Sequence, residues 1–205
     1  MFYTLMMFYT RKGDDGTSGV FGQKTRCNKD SPIFHALGTV DELNSLLGVC
    51  YAKARQSSKK ETKEKNKKES QKEEHNEDIS IPVILRSVQE DLFIVQAELA
   101  GAPKHLSNEH VAHIERVIAD AEIHIENPKA FVISGSDELS AYLDLTRSVA
   151  RRAEREVLKS HERQAVSKDT RIYLNRLSSL LYVLARYVAA KANVKEQNPK
   201  YQNSS

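Results

Sequence analysis

Arg147, Arg151 and Arg155 fall at i, i+4 and i+8 within the run L-D-L-T-R-S-V-A-R-R-A-E-R, Leu143 to Arg155, with Glu154 among them. The run has no Gly or Pro, and Leu139, Leu143, Thr146, Ala150, Ala153 and Val157 recur at three and four, so it predicts a helix. At about 100° per residue the arginines make one stripe beside the apolar face. A charged row in that place lies in a groove between helices or subunits. Three guanidinium forks aligned there repel one another unless an anion joins them, and phosphate oxygens suit their bidentate geometry. A solvated surface helix laced with i, i+4 ion pairs would carry the same residues.

A second polar constellation precedes it. Thr10-Arg-Lys-Gly-Asp-Asp-Gly-Thr-Ser-Gly19 alternates glycines and hydroxyl residues with charge. Such a segment cannot be helical, and its backbone N–H groups can curl around an anion while Thr17 and Ser18 add hydroxyl donors. It lacks the G-K-[ST] ending of a Walker loop, so a plain turn-rich loop fits the same pattern. Two metal constellations fail. His110 and His113 stand only i, i+3, Glu122 and Glu126 share a face further along, and the repeated Glu-x-x-His of di-iron bundles is missing, which leaves surface polarity as the account of both pairs.

The elements that must hold these residues read as helices. Ser31-Pro32 suits an N-cap followed by proline at N1, and Phe34, Leu37, Val40, Leu43, Asn44, Leu47 and Cys50 give a first inner stripe. Thr39 to Glu42 also matches a capping box, but the apolar period already runs through Phe34 and Leu37. Gly38 then lies mid-helix at about 1 kcal/mol relative to Ala, which predicts close packing there. Asp41 falls on the inner side, where a carboxylate needs a cation, and the arginine stripe is the obvious supplier. Residues 56–78 hold Lys, Glu, Ser, Asn and Gln with almost nothing to bury and read as a mobile charged insertion, although Glu61 with Lys65 could prolong the helix. Ile84, Leu85, Val88, Leu92, Val95 and Leu99 mark a second helix ending at Gly101-Ala-Pro103. Ser107 or Asn108 caps a third, carried by Val111, Ile114, Val117, Ile118, Ala121 and Ile125 and ended by Asn127-Pro128. Lys129 to Gly135 is a short extended segment in which Phe131 would ordinarily be core. Ser136 is the expected cap of the arginine helix, and Asp169 or Thr170 that of a last helix with Tyr173, Leu177, Leu180, Leu181, Leu184 and Val188 inside. Asn175 and Arg176 interrupt that last stripe near its start. The tail, 194–205, is polar and expected to fray.

The chain has 205 residues, enough for one domain over 1–193, with 1–31 as its N-terminal loop segment. A net charge of +3 spread over both signs does not suggest a nucleic-acid binder. No apolar run approaches the roughly 20 residues of a membrane span. Its two cysteines, Cys27 and Cys50, have neither C-x-x-C nor zinc spacing and fit a reducing, cytoplasmic setting. Met-Phe-Tyr-Thr occurs at 1–4 and again at 7–10, so a chain started at Met7 is expected to fold alike.

Six motifs in register carry a resemblance: Thr10 to Gly16, Lys29 to Pro32, Gly38 to Ser45, Phe131 to Ile133, Thr146 to Arg155 and Tyr173 to Ser178. Together they resemble the ATP:cob(I)alamin adenosyltransferases of the propanediol-utilisation type, over about Thr10 to Ala189 apart from the charged insertion. The resemblance implies an all-α five-helix bundle, a homotrimer with ATP, Mg²⁺ and the corrinoid between subunits, and a corrinoid reductase and an adenosylcobalamin-dependent enzyme as partners. It implies that ATP meets Thr10, Arg11, Gly13, Asp14, Gly16, Thr17, Ser18, Lys29, Arg151, Arg152, Glu154, Arg155 and Asn175. It further implies that Arg147, Arg151 and Glu154 serve catalysis, that Asp41 pairs with Arg147, and that Phe131 faces the corrin. Two stretches depart from the family pattern, Ser134-Gly-Ser136 in place of Pro-Gly-Gly and Phe21-Gly-Gln-Lys in place of a second glycine cluster.

The implied chemistry asks little of a protein nucleophile. Co(I) attacks C5′ of ATP, the C5′–O bond breaks, and triphosphate leaves with its electron pair. The protein has to neutralise that leaving charge, and an aromatic ring can occupy the lower axial position of Co(II) without donating a ligand. A nucleotide-sensing bundle that transfers nothing, or a purely structural bundle, would share many of these residues.

Overall fold

The computed structural model describes residue 9 and residues 11–21, 25–65, 79–126, 130–161 and 165–200, with only the helical backbone given for 58–65. Each apolar stripe becomes a helix: α1 Pro32–Lys65, α2 Ile81–Leu99, α3 Asn108–Glu122, α4 Glu138–Ser160 and α5 Lys168–Lys191. Among the described residues the helices are joined by a two-residue antiparallel ribbon, β1 Thr17–Ser18 with β2 Cys27–Asn28, paired Thr17 to Asn28 and Ser18 to Cys27, and by one isolated bridge, Ile133 to Gln197. None of the described helices is long and apolar enough to cross a membrane.

Packing follows the stripes. α1 lies between α2 and α4, α4 against α5, and α5 against α3. Leu43, Leu47, Leu85, Leu92, Leu99, Leu143, Leu177 and Leu181 are fully buried in the common core. Thr146 shares that burial because its hydroxyl donates to the Tyr142 carbonyl at 2.7 Å, one turn back. α2 and α5 are joined through polar groups. The Tyr173 hydroxyl donates to Asp91 at 2.8 Å, and the Glu98 carboxylate accepts from the Ser167 N–H at 2.6 Å and the Thr170 hydroxyl at 2.5 Å. Burial raises the Asp91 carboxyl above its ordinary range, a shift that the Tyr173 hydrogen bond only partly offsets. Glu98→Ala would strand both donors in a buried joint, so the urea midpoint should show a loss of about 2 to 3 kcal/mol. An unchanged midpoint would show that water satisfies them equally well.

Several boundaries differ from expectation, for local reasons. α4 is capped by Asp137, not Ser136, and its carboxylate accepts from the N–H groups of Leu139 at 2.9 Å and Ser140 at 3.1 Å. An ionised oxygen outcompetes the neighbouring hydroxyl for this position. α5 starts earlier than Asp169 or Thr170, because Ser167 accepts from Thr170 N–H. α3 stops at Glu122, five residues before Asn127. His110 is more than surface polarity: its Nδ1 accepts from the Ser107 N–H at 3.1 Å and so helps to cap α3. Gly38 is not a close-packing site, since a Cβ built there would meet open space. Asp41 lies on the exposed side of α1, whereas Asn44 is buried. The charged run does continue α1 as far as Lys65, and 66–78 lie outside the described residues.

Candidate functional site

The glycine-rich segment folds as a braced loop. Gly16, at φ +79°, donates its N–H to the Gly13 carbonyl at 3.2 Å, and its own carbonyl accepts from the Lys29 N–H at 2.9 Å. The left-handed turn there is one that a side chain would strain. Asp15 accepts from both the N–H and the hydroxyl of Thr17, at 2.9 and 2.8 Å, and these bonds hold its carboxyl below the ordinary range. Lys29 Nζ donates to the Gly13 carbonyl at 2.8 Å, so the lysine is already folded over the loop. Thr10 lies outside the described residues.

Arg26 ties these pieces together, a role that the sequence alone does not mark. Its guanidinium donates to the Thr17 hydroxyl at 2.7 Å, the Lys12 carbonyl at 2.6 Å and the Thr17 carbonyl at 2.9 Å. A basic residue beside a Gly-rich loop is the only cue the sequence offers, and Lys24 and Lys29 share it.

Beside the loop, a cavity of about 670 Å³ opens along α1 and α2, lined in part by Ser18, Lys29, Gly38, Asp41, Phe93 and Gln96. Phe93 is 63% exposed there.

The arginine stripe stands elsewhere, along α4 and α5. Arg147 is half-buried, Arg151 and Arg155 are exposed, and Glu154 between them accepts from Asn175 Nδ2 at 3.0 Å. Arg176 donates to the Asn175 side-chain oxygen at 3.0 Å and to Glu115 at 2.9 Å, which fixes the amide that faces Glu154. Arg152 points the other way and pairs with Glu42 on α1. The stripe and its apolar neighbours therefore sit as their spacing predicts, with Arg152 drawn off to the α1 seam.

Within the chain Arg147 does not meet Asp41. Among the described residues its nearest carboxylate is Asp144, at 4.0 Å, and its Nε is buried without a hydrogen-bond partner. Asp144 is already held by Arg186, Nη2 to Oδ2 at 2.6 Å, and Arg186 Nε lies 2.7 Å from Glu196. Burial works against the Arg186 charge, but the Asp144 and Glu196 carboxylates outweigh it and hold its pKa above the usual value. No role for Arg186 or Glu196 is foreseen by the sequence reading, although a lone guanidinium among Leu184, Ala185 and Tyr187 is itself a signal of a buried partner.

Phe131 is not core. It is 79% exposed, on a segment whose Ile133 forms a single antiparallel bridge to Gln197. The tail thus takes part in the fold at Gln197, through that bridge.

A family model described as cobalamin adenosyltransferase matches residues 8–188. A corrinoid adenosyltransferase of Citrobacter freundii is 35% identical over 186 residues, spanning 87% of this chain and 92% of that protein. A second protein of that organism, the corrinoid adenosyltransferase PduO, is 34% identical over 189 residues, and the chain spans 49% of its length. Among solved structures, a variant PduO-type ATP:corrinoid adenosyltransferase from Lactobacillus reuteri, complexed with cobalamin and ATP, superposes with a TM-score of 0.77 at 24% identity. That superposition covers 97% of this chain and 98% of that one, and it establishes the shared fold.

Proposed function

Since the chain belongs to the cobalamin adenosyltransferase family, we propose that it transfers the 5′-deoxyadenosyl group of ATP to cob(I)alamin, releasing triphosphate. The observation that carries the reading is the pairing of a braced, lysine-covered glycine loop with an arginine stripe whose Glu154 and Asn175 are already joined. Both are built for a polyanion, and neither offers a protein nucleophile. Co(I) supplies the electron pair of the new Co–C bond, and the C5′–O pair departs with triphosphate. Arg151, Arg155 and Lys29 neutralise the charge that develops on the leaving group, since the Gly16 and Thr17 N–H groups are spent within the loop on Gly13 and Asp15. Mg²⁺ travels with the triphosphate, whose oxygens are ligands of the kind it prefers. Among the described residues no group of three or more His, Cys, Asp or Glu side chains is placed to hold a metal ion.

The two polar faces lie on different sides of α1, one toward α2 and one along α4 and α5. A ligand touching both takes one from each of two copies, in the closed ring of a homotrimer. Arg147, with an unpartnered Nε and a carboxylate neighbour taken by Arg186, has capacity for the exposed Asp41 of the next copy. Phe131, exposed on its segment, supplies the ring that meets the corrin and excludes the lower axial ligand of Co(II). A corrinoid reductase upstream and an adenosylcobalamin-dependent enzyme downstream complete the partners. Free thiols at Cys27 and at buried Cys50 suit a reducing cytoplasm.

The test is ATP with chemically reduced cobalamin, following Co(I) absorbance and product. Loss of Co(I) with equimolar triphosphate is expected. ATP binding without that loss would make the protein a sensor, and no binding of either ligand would leave a structural bundle. Arg26→Ala should separate binding from chemistry, because Arg26 preorganises the loop without reaching the arginine face. KM for ATP is expected to rise about tenfold, some 1.4 kcal/mol, with a smaller fall in kcat because Lys29 rests on the same loop. A fall in kcat with KM constant would put Arg26 in the transition state instead.

A further inference from the structure

The segment bearing Phe131 is gripped by the other end of the chain. Ile133 N–H donates to the Gln197 carbonyl at 2.8 Å, and Asn198 Nδ2 donates to the Phe131 carbonyl at 2.9 Å. The residue just before them, Glu196, is seated on Arg186, which is only 3% exposed and grips Asp144 with its other nitrogen. Consecutive tail residues thus take an anchor in the bundle and a hold on the Phe131 backbone at once.

These contacts do not serve to hide the ring. A phenylalanine left 79% exposed gains almost none of the stabilisation that burial would give it. Fixing its backbone costs conformational entropy, and the ring stays exposed all the same. What the contacts do achieve is a defined place for an exposed aromatic face. They also connect that place to the arginine stripe, because Asp144, the far end of the Glu196–Arg186 chain, is the carboxylate nearest to Arg147.

We propose that residues 196–198 form a clasp that positions Phe131 for the corrin, with Glu196 and Asn198 as positioning residues that touch no substrate. The inference rests on the reading of Phe131 given above, and it extends that reading to the C-terminal segment. Loosening the clasp lets the ring wander, so the step that needs it there, removal of the lower ligand from Co(II), suffers more than transfer from Co(I), which already lacks a strong lower ligand.

The experiment uses the full chain and its Asn198→Ala, Glu196→Gln, Phe131→Ala and Asn198→Ala/Phe131→Ala variants. Three quantities are measured on each: amide exchange at Ile133, the rate from preformed cob(I)alamin, and the rate from cob(II)alamin with a weak reductant. Asn198→Ala and Glu196→Gln should each speed Ile133 exchange about tenfold and lower the Co(II) rate roughly fivefold more than the Co(I) rate. The double variant should show no larger Co(II)-selective loss than Phe131→Ala alone, since the clasp acts through that ring. Unchanged exchange, or faster exchange with equal losses from both cobalt states, overturns the clasp. Selective losses that multiply in the double variant overturn it too, by showing a route that bypasses Phe131. If Phe131→Ala itself shows no Co(II)-selective loss, the corrin role of that ring falls, whatever the exchange rates, and the clasp loses its purpose. A selective loss in Phe131→Ala but not in Asn198→Ala or Glu196→Gln leaves the ring's role standing and removes the clasp alone.

Discussion

Arg151→Ala is expected to lower kcat by about 10²- to 10³-fold, some 3 to 4 kcal/mol, whether Co(I) is supplied preformed or generated from Co(II). The expectation follows from the charge ledger of the reaction. Bound ATP already carries its negative charge, but the bridging oxygen gains more as the C5′–O bond breaks, and a guanidinium in the stripe strengthens its hold during that step. Arg151 is exposed on α4, so the same substitution should move the unfolding midpoint by less than about 0.5 kcal/mol. Arg151→Lys keeps the charge and loses the fork, and should fall between the two. Equal losses in kcat and stability would make the stripe a structural feature.

The largest stability effect is expected at Arg186. It lies 3% exposed between Asp144, itself 4% exposed, and Glu196. Arg186→Ala would strand the Asp144 carboxylate in the core, at a cost of about 3 to 5 kcal/mol, or roughly 10 °C in Tm for a chain of this size. Replacing the two most buried partners with apolar residues of similar volume, Arg186→Met with Asp144→Leu, should recover much of that loss, because only Glu196, 21% exposed, is then left without its cation. A strictly additive double variant would show that the pair is not coupled.

Most of the scaffold was legible because it is written in local periodicity. The stripes from Leu43 to Cys50, Leu85 to Leu99 and Leu139 to Val157 needed no knowledge of their partners, and the structure buries them. What escaped depends on residues far apart in sequence. Glu98 reads as one more surface acid on α2 until it meets Ser167 and Thr170, 69 and 72 residues on. Phe-Val-Ile at 131 to 133 looks like core by composition, yet its backbone pairs with a polar tail that composition alone marks as loose. Asp41 shows the limit of helical phase: a shift of one position on α1 separates it, exposed at the groove, from buried Val40. Arg26 was hidden among lysines, and only the three bonds it makes set it apart.

The central claim is that each site is made by two copies, the glycine loop and Lys29 from one and the arginine stripe from the next. It is tested most directly by mixing two inactive variants, Lys29→Ala and Arg151→Ala, through co-expression or unfolding and refolding together. In a closed ring with random assortment, about a quarter of the interfaces then join an intact loop to an intact stripe, so activity should return to roughly a quarter of that of the unmodified protein. Activity that stays at the level of the two parents, in mixtures shown to contain both chains in one oligomer, would contradict the shared site and place loop and stripe around ATP within a single copy.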